Sequence, residues 1–137
     1  MTRDQRIENI LRAQDMARLG ILFAPPSFKN ASPELLLKVC NGCGAAHAKI
    51  DFVPETIYML YVGYACFIHD WGYYMGKDIL DKEETDRVFL NNLLRLIKLD
   101  KRWYTPKRLM RRRAKTYYKM VHWFGGPAFW RAKGEYV

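Results

Sequence analysis

Side chains that can carry out catalysis or bind a metal are concentrated on one predicted helix, between Cys66 and Tyr73. An α-helix turns once every ~3.6 residues, so Cys66, His69 and Tyr73 share one helix face. Asp70 projects about 100° further round the axis. The helix therefore directs a proton acceptor and a hard anionic ligand at neighbouring points. This suits a hydrolase that needs a base beside a metal ion, although the cysteine and histidine could instead form half of a zinc site.

A second acid, Asp86, falls on the apolar stripe of the next predicted helix. A carboxylate on such a stripe is costly unless it is paired or hydrogen-bonded. In an antiparallel hairpin of the two helices, Asp86 would come beside His69 and Tyr73. It would then accept from one imidazole nitrogen and leave the other to act as a base. The alternative is that Asp86 is a first-turn acid favoured by the helix dipole, or is solvated at the hairpin end.

The loop from Asn41 to Ala46 provides candidate ligands for a metal ion. Its small residues allow backbone carbonyls to converge, and calcium prefers such oxygen ligands together with a carboxylate. Asp70 would add both of its carboxylate oxygens. A glycine-rich turn can equally be only a turn.

Together these residues resemble the phospholipase A2 superfamily, and most closely its small bacterial, fungal and viral branches. The loop motif stands as Asn41 to Gly44, and the C-x-x-H-D-x-x-Y motif as Cys66 to Tyr73. A downstream D-x-x-F stands as Asp86 to Phe89, so the resemblance covers about residues 39–94. The chain departs from the family at Asn41, where the microbial branch commonly has an acid, and at the two alanines after Gly44.

The resemblance implies calcium-dependent hydrolysis of the sn-2 ester of a glycerophospholipid by a water molecule that His69 activates. It implies that Tyr73 and Asp86 support His69 through hydrogen bonds. Calcium would polarise the ester carbonyl and hold the oxyanion. The implied calcium ligands are the carboxylate of Asp70 and the backbone carbonyls of Asn41, Gly42, Cys43 and Gly44. A catalytically inactive relative that only binds lipid is an alternative within the same family.

The resemblance also implies a disulfide between Cys43 and Cys66, which leaves Cys40 free. The main alternative to a calcium enzyme is a structural zinc module. Cys40 and Cys43, followed by Cys66 and His69, have a permissible Cys3His spacing. With the basic C-terminal region, such a module would bind nucleic acid. The hydrolase interpretation is preferred because zinc gives no reason for the two acids and the tyrosine around His69.

Positive charge is concentrated towards the C-terminal end of a chain whose formal net charge is +9. From Lys101 to Lys133 there are 11 Lys or Arg and no acid, whereas the remaining residues hold 12 basic and 14 acidic side chains. This predicts an anionic partner, namely a phospholipid surface, with nucleic acid less favoured. The candidate anion-binding residues share one predicted helix: Lys107, Arg108, Arg111, Arg112, Arg113, Lys115 and Lys119.

The hydrophobic periodicity predicts a small, mainly α-helical single domain over residues 1–137. Its centre is an antiparallel catalytic hairpin of two helices, preceded by the metal-binding loop. Extra helices flank this unit at both ends, and a basic helix and tail occupy about residues 101–137. The predicted helices are about Arg3–Leu19, Pro33–Val39 (capped by Ser32), Pro54–Tyr74, Asp81–Leu99 and Pro106–Phe124.

The remaining predictions concern strands and location. No strand is expected beyond a small hairpin in the loops. Gly125, Gly126 and Pro127 are expected to end the last helix and leave an aromatic tail that contains Phe129 and Trp130. No run approaches the ~20 apolar residues that span a bilayer, and the first 20 residues lack the features of a secretory signal. We therefore expect synthesis in the cytoplasm and action at a membrane surface or after release.

Overall fold

The computed structural model describes residues 2–42 and 53–133. Within these ranges the protein has seven helices and one two-stranded sheet, which confirms the mainly helical prediction. The elements are α1 (Arg3–Arg18), α2 (Pro26–Asn30), α3 (Pro33–Val39), β1 (Thr56–Ile57), β2 (Leu60–Tyr61), α4 (Gly63–Met75), α5 (Ile79–Leu99), α6 (Lys107–Phe124) and α7 (Gly126–Arg131).

The segment before α4 differs most from the sequence prediction. A helix was predicted from Pro54, but strands β1 and β2 pair as an antiparallel hairpin and α4 begins only at Gly63. The turn residues Tyr58 and Met59 have φ angles of 47° and 67°, as in the two-residue turns that join twisted strands. Such a backbone costs a residue other than glycine about 1–2 kcal/mol. The turn therefore depends on stabilising contacts with its surroundings.

The other helix ends follow from capping. Ser32 accepts a hydrogen bond from the N–H of Leu35, so α3 begins where predicted. Helix α5 begins two residues earlier than predicted because the Asp78 side chain caps it, accepting from the N–H of Asp81 at 3.0 Å. Helix α6 ends at Phe124 as predicted, and the aromatic tail after it forms a further helix, α7.

Helices α4 and α5 pack against each other closely at Gly72. A Cβ on Gly72 would collide with the side chain of Thr85, so this glycine permits the close approach. Gly76, the residue that follows α4 and lies one turn beyond Gly72, instead faces Phe129 and Asp81, and Asp81 comes earlier in α5 than Thr85. Later residues at the end of α4 therefore contact earlier residues of α5. This order places the middle of α4 opposite the first half of α5.

Helix α6 covers the other side of α5 and has one buried and one basic face. Its buried residues recur every three or four positions: Met110, Ala114, Tyr117 and Val121. The Tyr117 hydroxyl donates to the Thr56 carbonyl at 2.8 Å, which joins α6 to β1. Six of the predicted anion-binding residues are exposed: Arg108, Arg111, Arg112, Arg113, Lys115 and Lys119. Lys107 is half-buried and pairs with Asp100 at 3.2 Å. Among the described residues, no helix combines the length and apolarity needed to cross a bilayer.

Candidate active site

His69 and Asp86 meet in the contact between α4 and α5. The Nε2 atom of His69 lies 2.8 Å from Oδ1 of Asp86. The histidine is 8% exposed and Asp86 is fully buried, so the alternative in which Asp86 is solvated at a helix end is excluded. The His69 ring is held between Tyr73 and Phe89, whose ring centroids lie 4.1 and 4.8 Å from its own. Two neighbouring rings and one hydrogen bond thus fix its orientation.

The carboxylate of Asp86 receives two further hydrogen bonds from buried side chains. The Tyr73 hydroxyl donates to Oδ1 at 2.7 Å, and Nζ of Lys82 donates to Oδ2 at 2.7 Å. Lys82 is only 4% exposed and also donates to the carbonyls of Val121 and His122, at 3.2 and 3.3 Å. Each oxygen of the buried carboxylate is therefore paired.

These contacts determine the protonation states. Burial opposes ionisation of Asp86, but hydrogen bonds from His69, Lys82 and Tyr73 outweigh it and hold the pKa of Asp86 below its ordinary value. Burial and the Asp86 charge raise the pKa of the Tyr73 hydroxyl, which stays a neutral donor. An ionised carboxylate only accepts hydrogen bonds, so Nε2 of His69 must donate. In the neutral ring, Nδ1 is then the unprotonated nitrogen, and no hydrogen bond from the described residues occupies it.

Three residues that the sequence analysis did not single out complete this cluster. Lys82 is one, and its spacing of four residues before Asp86 was the available signal. Gly125 is the second, because a Cβ there would collide with the Tyr73 hydroxyl and the Val121 carbonyl. Phe129 of α7 is the third: it is fully buried and packs edge-on against Tyr73, with ring centroids 5.3 Å apart. The last two signals are tertiary and have no local pattern.

Asp70 faces the beginning of the glycine-containing loop. Its Oδ2 atom accepts hydrogen bonds from the backbone N–H of Asn41 at 2.8 Å and of Gly42 at 2.6 Å. No described residue donates to the other oxygen, Oδ1. Burial raises the pKa of Asp70 to about 7, although both N–H groups and the charge of Arg6 lower it. Burial therefore outweighs the hydrogen bonds and the nearby cation that favour the ionised form of Asp70.

Arg6 of α1 binds the backbone at the start of the loop. One guanidinium nitrogen, Nη1, donates to the carbonyls of Leu37 and Cys40, both at 2.8 Å. These carbonyls belong to the last turn of α3 and the residue after it. Arg6 thus fixes the backbone immediately before the N–H groups that reach Asp70. In the sequence, Arg6 shares a helix stripe with Ile10 and Ala13, which are buried, and this position was the available indication that Arg6 faces the interior.

The two described cysteines, Cys40 and Cys66, differ in oxidation state. Cys66 is disulfide-bonded, whereas Cys40 is a buried free thiol whose pKa is raised by burial and by the charge of Asp70. The predicted ligands Cys43 and Gly44 lie outside the described residues. The structure does not assemble the Cys3His zinc set, because a disulfide sulfur is not a thiolate ligand and Nε2 of His69 is bonded to Asp86. Among residues 2–42 and 53–133, no group of three or more His, Cys, Asp and Glu converges on a metal position.

Comparisons of the chain with protein-family models, with curated proteins and with solved structures found no match.

Proposed function

We propose that the protein is a calcium-dependent hydrolase of phospholipid esters, similar to phospholipase A2, with His69 as the general base. The observation that carries this proposal is the buried hydrogen-bonded set of His69, Asp86 and Tyr73 beside Asp70. The stepwise contacts between α4 and α5 support an antiparallel catalytic hairpin in which each helix contributes one acid to the site. The proposal also rests on the C-x-x-H-D-x-x-Y motif from Cys66 to Tyr73.

The hydrogen bonds explain how His69 would act. With Nε2 donating to Asp86, the lone pair on Nδ1 can remove a proton from water as that water attacks an ester carbonyl. The positive charge that develops on the ring is then stabilised by the carboxylate of Asp86. Lys82 and Tyr73 keep that carboxylate ionised and in place. The histidine needs no serine nucleophile, so hydrolysis would be direct.

The described loop residues, Asn41 and Gly42, meet some of the requirements of a cation site at Asp70. Among the described residues none donates to Oδ1 of Asp70, and burial holds the pKa of this carboxyl above its ordinary value. The peptide bond between Asn41 and Gly42 is trans, so the Asn41 carbonyl points in the opposite direction from the N–H of Gly42, which donates to Asp70. Asn41 therefore serves Asp70 as an N–H donor, and carbonyl ligands would come from Gly42 onward. Bound calcium would polarise the ester carbonyl and stabilise the oxyanion.

The direct experiment measures fatty-acid release from phosphatidylglycerol vesicles by the purified chain, with calcium and with a calcium chelator. Substrates labelled separately at the sn-1 and sn-2 acyl chains report the bond that is cleaved. We expect release of the sn-2 chain only with calcium. Absence of release under both conditions, with stoichiometric zinc in the purified protein, would reject the proposal in favour of the zinc module.

A further inference from the structure

Two exposed apolar tips lie next to each other at the end of the molecule formed by the start of α4 and the end of α5. One is the turn between β1 and β2, where Met59 is 87% exposed and Tyr58 is 37% exposed. The other is the segment between α5 and α6, where Trp103 is 92% exposed and Tyr104 is 66% exposed. These four residues are called the aromatic tip below. A soluble surface rarely gathers side chains of this size in adjacent loops without a partner.

Specific contacts join the two halves of the aromatic tip. Arg102, next to Trp103 in sequence, donates from Nη2 to the Tyr58 carbonyl at 3.1 Å. The guanidinium of Arg113 in α6 lies over the Tyr58 ring, 5.1 Å from its centroid. The rings of Trp103 and Tyr104 meet edge to face with centroids 5.9 Å apart. The strained turn at Tyr58 and Met59 is thus held from α6 and from the adjoining loop.

The exposed charges that adjoin the aromatic tip in the segment between α5 and α6 and on α6 are positive. Asp100, the acid that precedes it, is paired with both Arg102 and Lys107. Lys101 and Arg113 remain exposed beside the apolar side chains, and the exposed basic face of α6 continues from there. Apolar residues bearing Trp and Tyr with cations beside them match an anionic bilayer, where the rings settle at headgroup depth and the cations meet phosphates.

A second exposed apolar group at the opposite end of α5 provides a contrast. Ile79 and Leu80 are 51% and 68% exposed. They are flanked in sequence by Asp78 and Asp81, both exposed acids. The exposed cation next to them is Lys77, and the two acids make Ile79 and Leu80 less suited than the aromatic tip to an anionic surface. Between these two groups, charge complementarity favours the aromatic tip. Trp123, which is also exposed on the basic helix α6, is therefore the comparison in the test below.

We propose that the aromatic tip inserts into the headgroup region of an anionic phospholipid bilayer and orients the protein there, with the basic face of α6 as its electrostatic support. The proposal rests on the proposed function for its choice of lipid as the partner. It adds a defined docking surface, which the sequence motif does not include. It also assigns Trp103 and Tyr104 a role that core packing does not explain.

The test measures co-sedimentation of the full chain with phosphatidylglycerol and phosphatidylcholine vesicles, in the presence of a calcium chelator so that lipid is not hydrolysed. Trp103→Ala combined with Tyr104→Ala should lower the partition coefficient on phosphatidylglycerol by about tenfold, because binding scales with inserted apolar area. Trp123→Ala is the matched control, since Trp123 is 65% exposed on α6, away from the aromatic tip. The control should change the coefficient by less than about twofold.

The outcomes separate the docking proposal from the proposed function. Unchanged binding in the double variant, or an equal loss in Trp123→Ala, overturns docking through the aromatic tip. Tight binding of a duplex oligonucleotide without vesicle binding overturns it in favour of nucleic acid. Vesicle binding that depends on Trp103 and Tyr104 without any fatty-acid release would support docking and reject the hydrolase. Hydrolysis of dispersed short-chain lipid without vesicle binding would support the hydrolase and reject docking through the aromatic tip.

Discussion

Nζ of Lys82 lies 2.7 Å from Oδ2 of Asp86, and both side chains are almost completely removed from solvent. The lysine also reaches two carbonyls in the last turn of α6. One buried cation thus connects the carboxylate that orients His69 to a third helix. This connection explains how a charged pair is retained in the core, because each partner finds several hydrogen bonds there.

Removal of the lysine should be costly. Lys82→Met leaves the Asp86 carboxylate buried with fewer partners, so we expect the free energy of unfolding to fall by about 3 kcal/mol. Lys77→Met, at an exposed position before α5, is the control and should change it by less than about 0.5 kcal/mol. Urea denaturation of the two variants measures both values. Equal stabilities of the two variants would show that the pair contributes nothing.

The ionised state of Asp86 predicts a pH dependence of stability. Its pKa is lowered in the folded protein, so its contribution is complete above the unfolded pKa of about 3.9 and is lost as pH falls through the folded pKa. The difference in unfolding free energy between the wild type and Asp86→Asn should therefore shrink below about pH 4. Denaturant titrations from neutral to acidic pH measure it. A difference that stays constant across this range would contradict the assigned ionisation.

Gly125 should be intolerant of a side chain, whereas its neighbour should not. A Cβ at Gly125 meets the Tyr73 hydroxyl and the Val121 carbonyl, but a Cβ at Gly126 meets nothing within 4 Å. Gly125→Ala should destabilise the protein by about 1–3 kcal/mol, because the Tyr73 hydroxyl must move away from Asp86. Gly126→Ala is the matched control. Thermal unfolding compares the two, and equal melting temperatures would refute the close approach.

Calcium binding should depend on Asp70. Asp70→Asn removes the carboxylate charge but keeps the size of the side chain, so calcium affinity should fall by at least about tenfold. Asp15→Asn replaces an acid on the exposed face of α1 and should leave the affinity unchanged. Isothermal titration with calcium measures both. Unaltered affinity in Asp70→Asn would place any calcium site elsewhere.

Periodic spacing and caps in the sequence were sufficient to predict most helices and the pairing of His69 with Asp86. Ser32 and Pro33 determined the start of α3, and Pro106 the start of α6. The spacing of Asp86 on an apolar stripe correctly indicated a buried partner on the preceding helix. These features are local, so a single sequence contains them.

Other features depend on contacts between distant segments and had no local signal. The sequence predicted a helix from Pro54 over this segment, but the segment forms a β-hairpin that is stabilised by Arg102 and Tyr117 from the C-terminal half. The seventh helix forms where its Phe129 packs on Tyr73. The sequence around Lys82 is typical of a surface lysine, and the side chain is buried because α6 packs over it. Propensity and pattern alone do not include these tertiary contacts.

The central claim is that His69 is the general base, and replacement of this histidine tests it most directly. The measurement is calcium-dependent fatty-acid release from phosphatidylglycerol vesicles by the wild type, His69→Ala and His122→Ala. His122 is exposed on α6 and reaches the cluster only through its backbone carbonyl, so its variant is the control. We predict at least about a hundredfold loss in His69→Ala and near wild-type release in His122→Ala. Undiminished release by a folded His69→Ala variant would contradict the assignment.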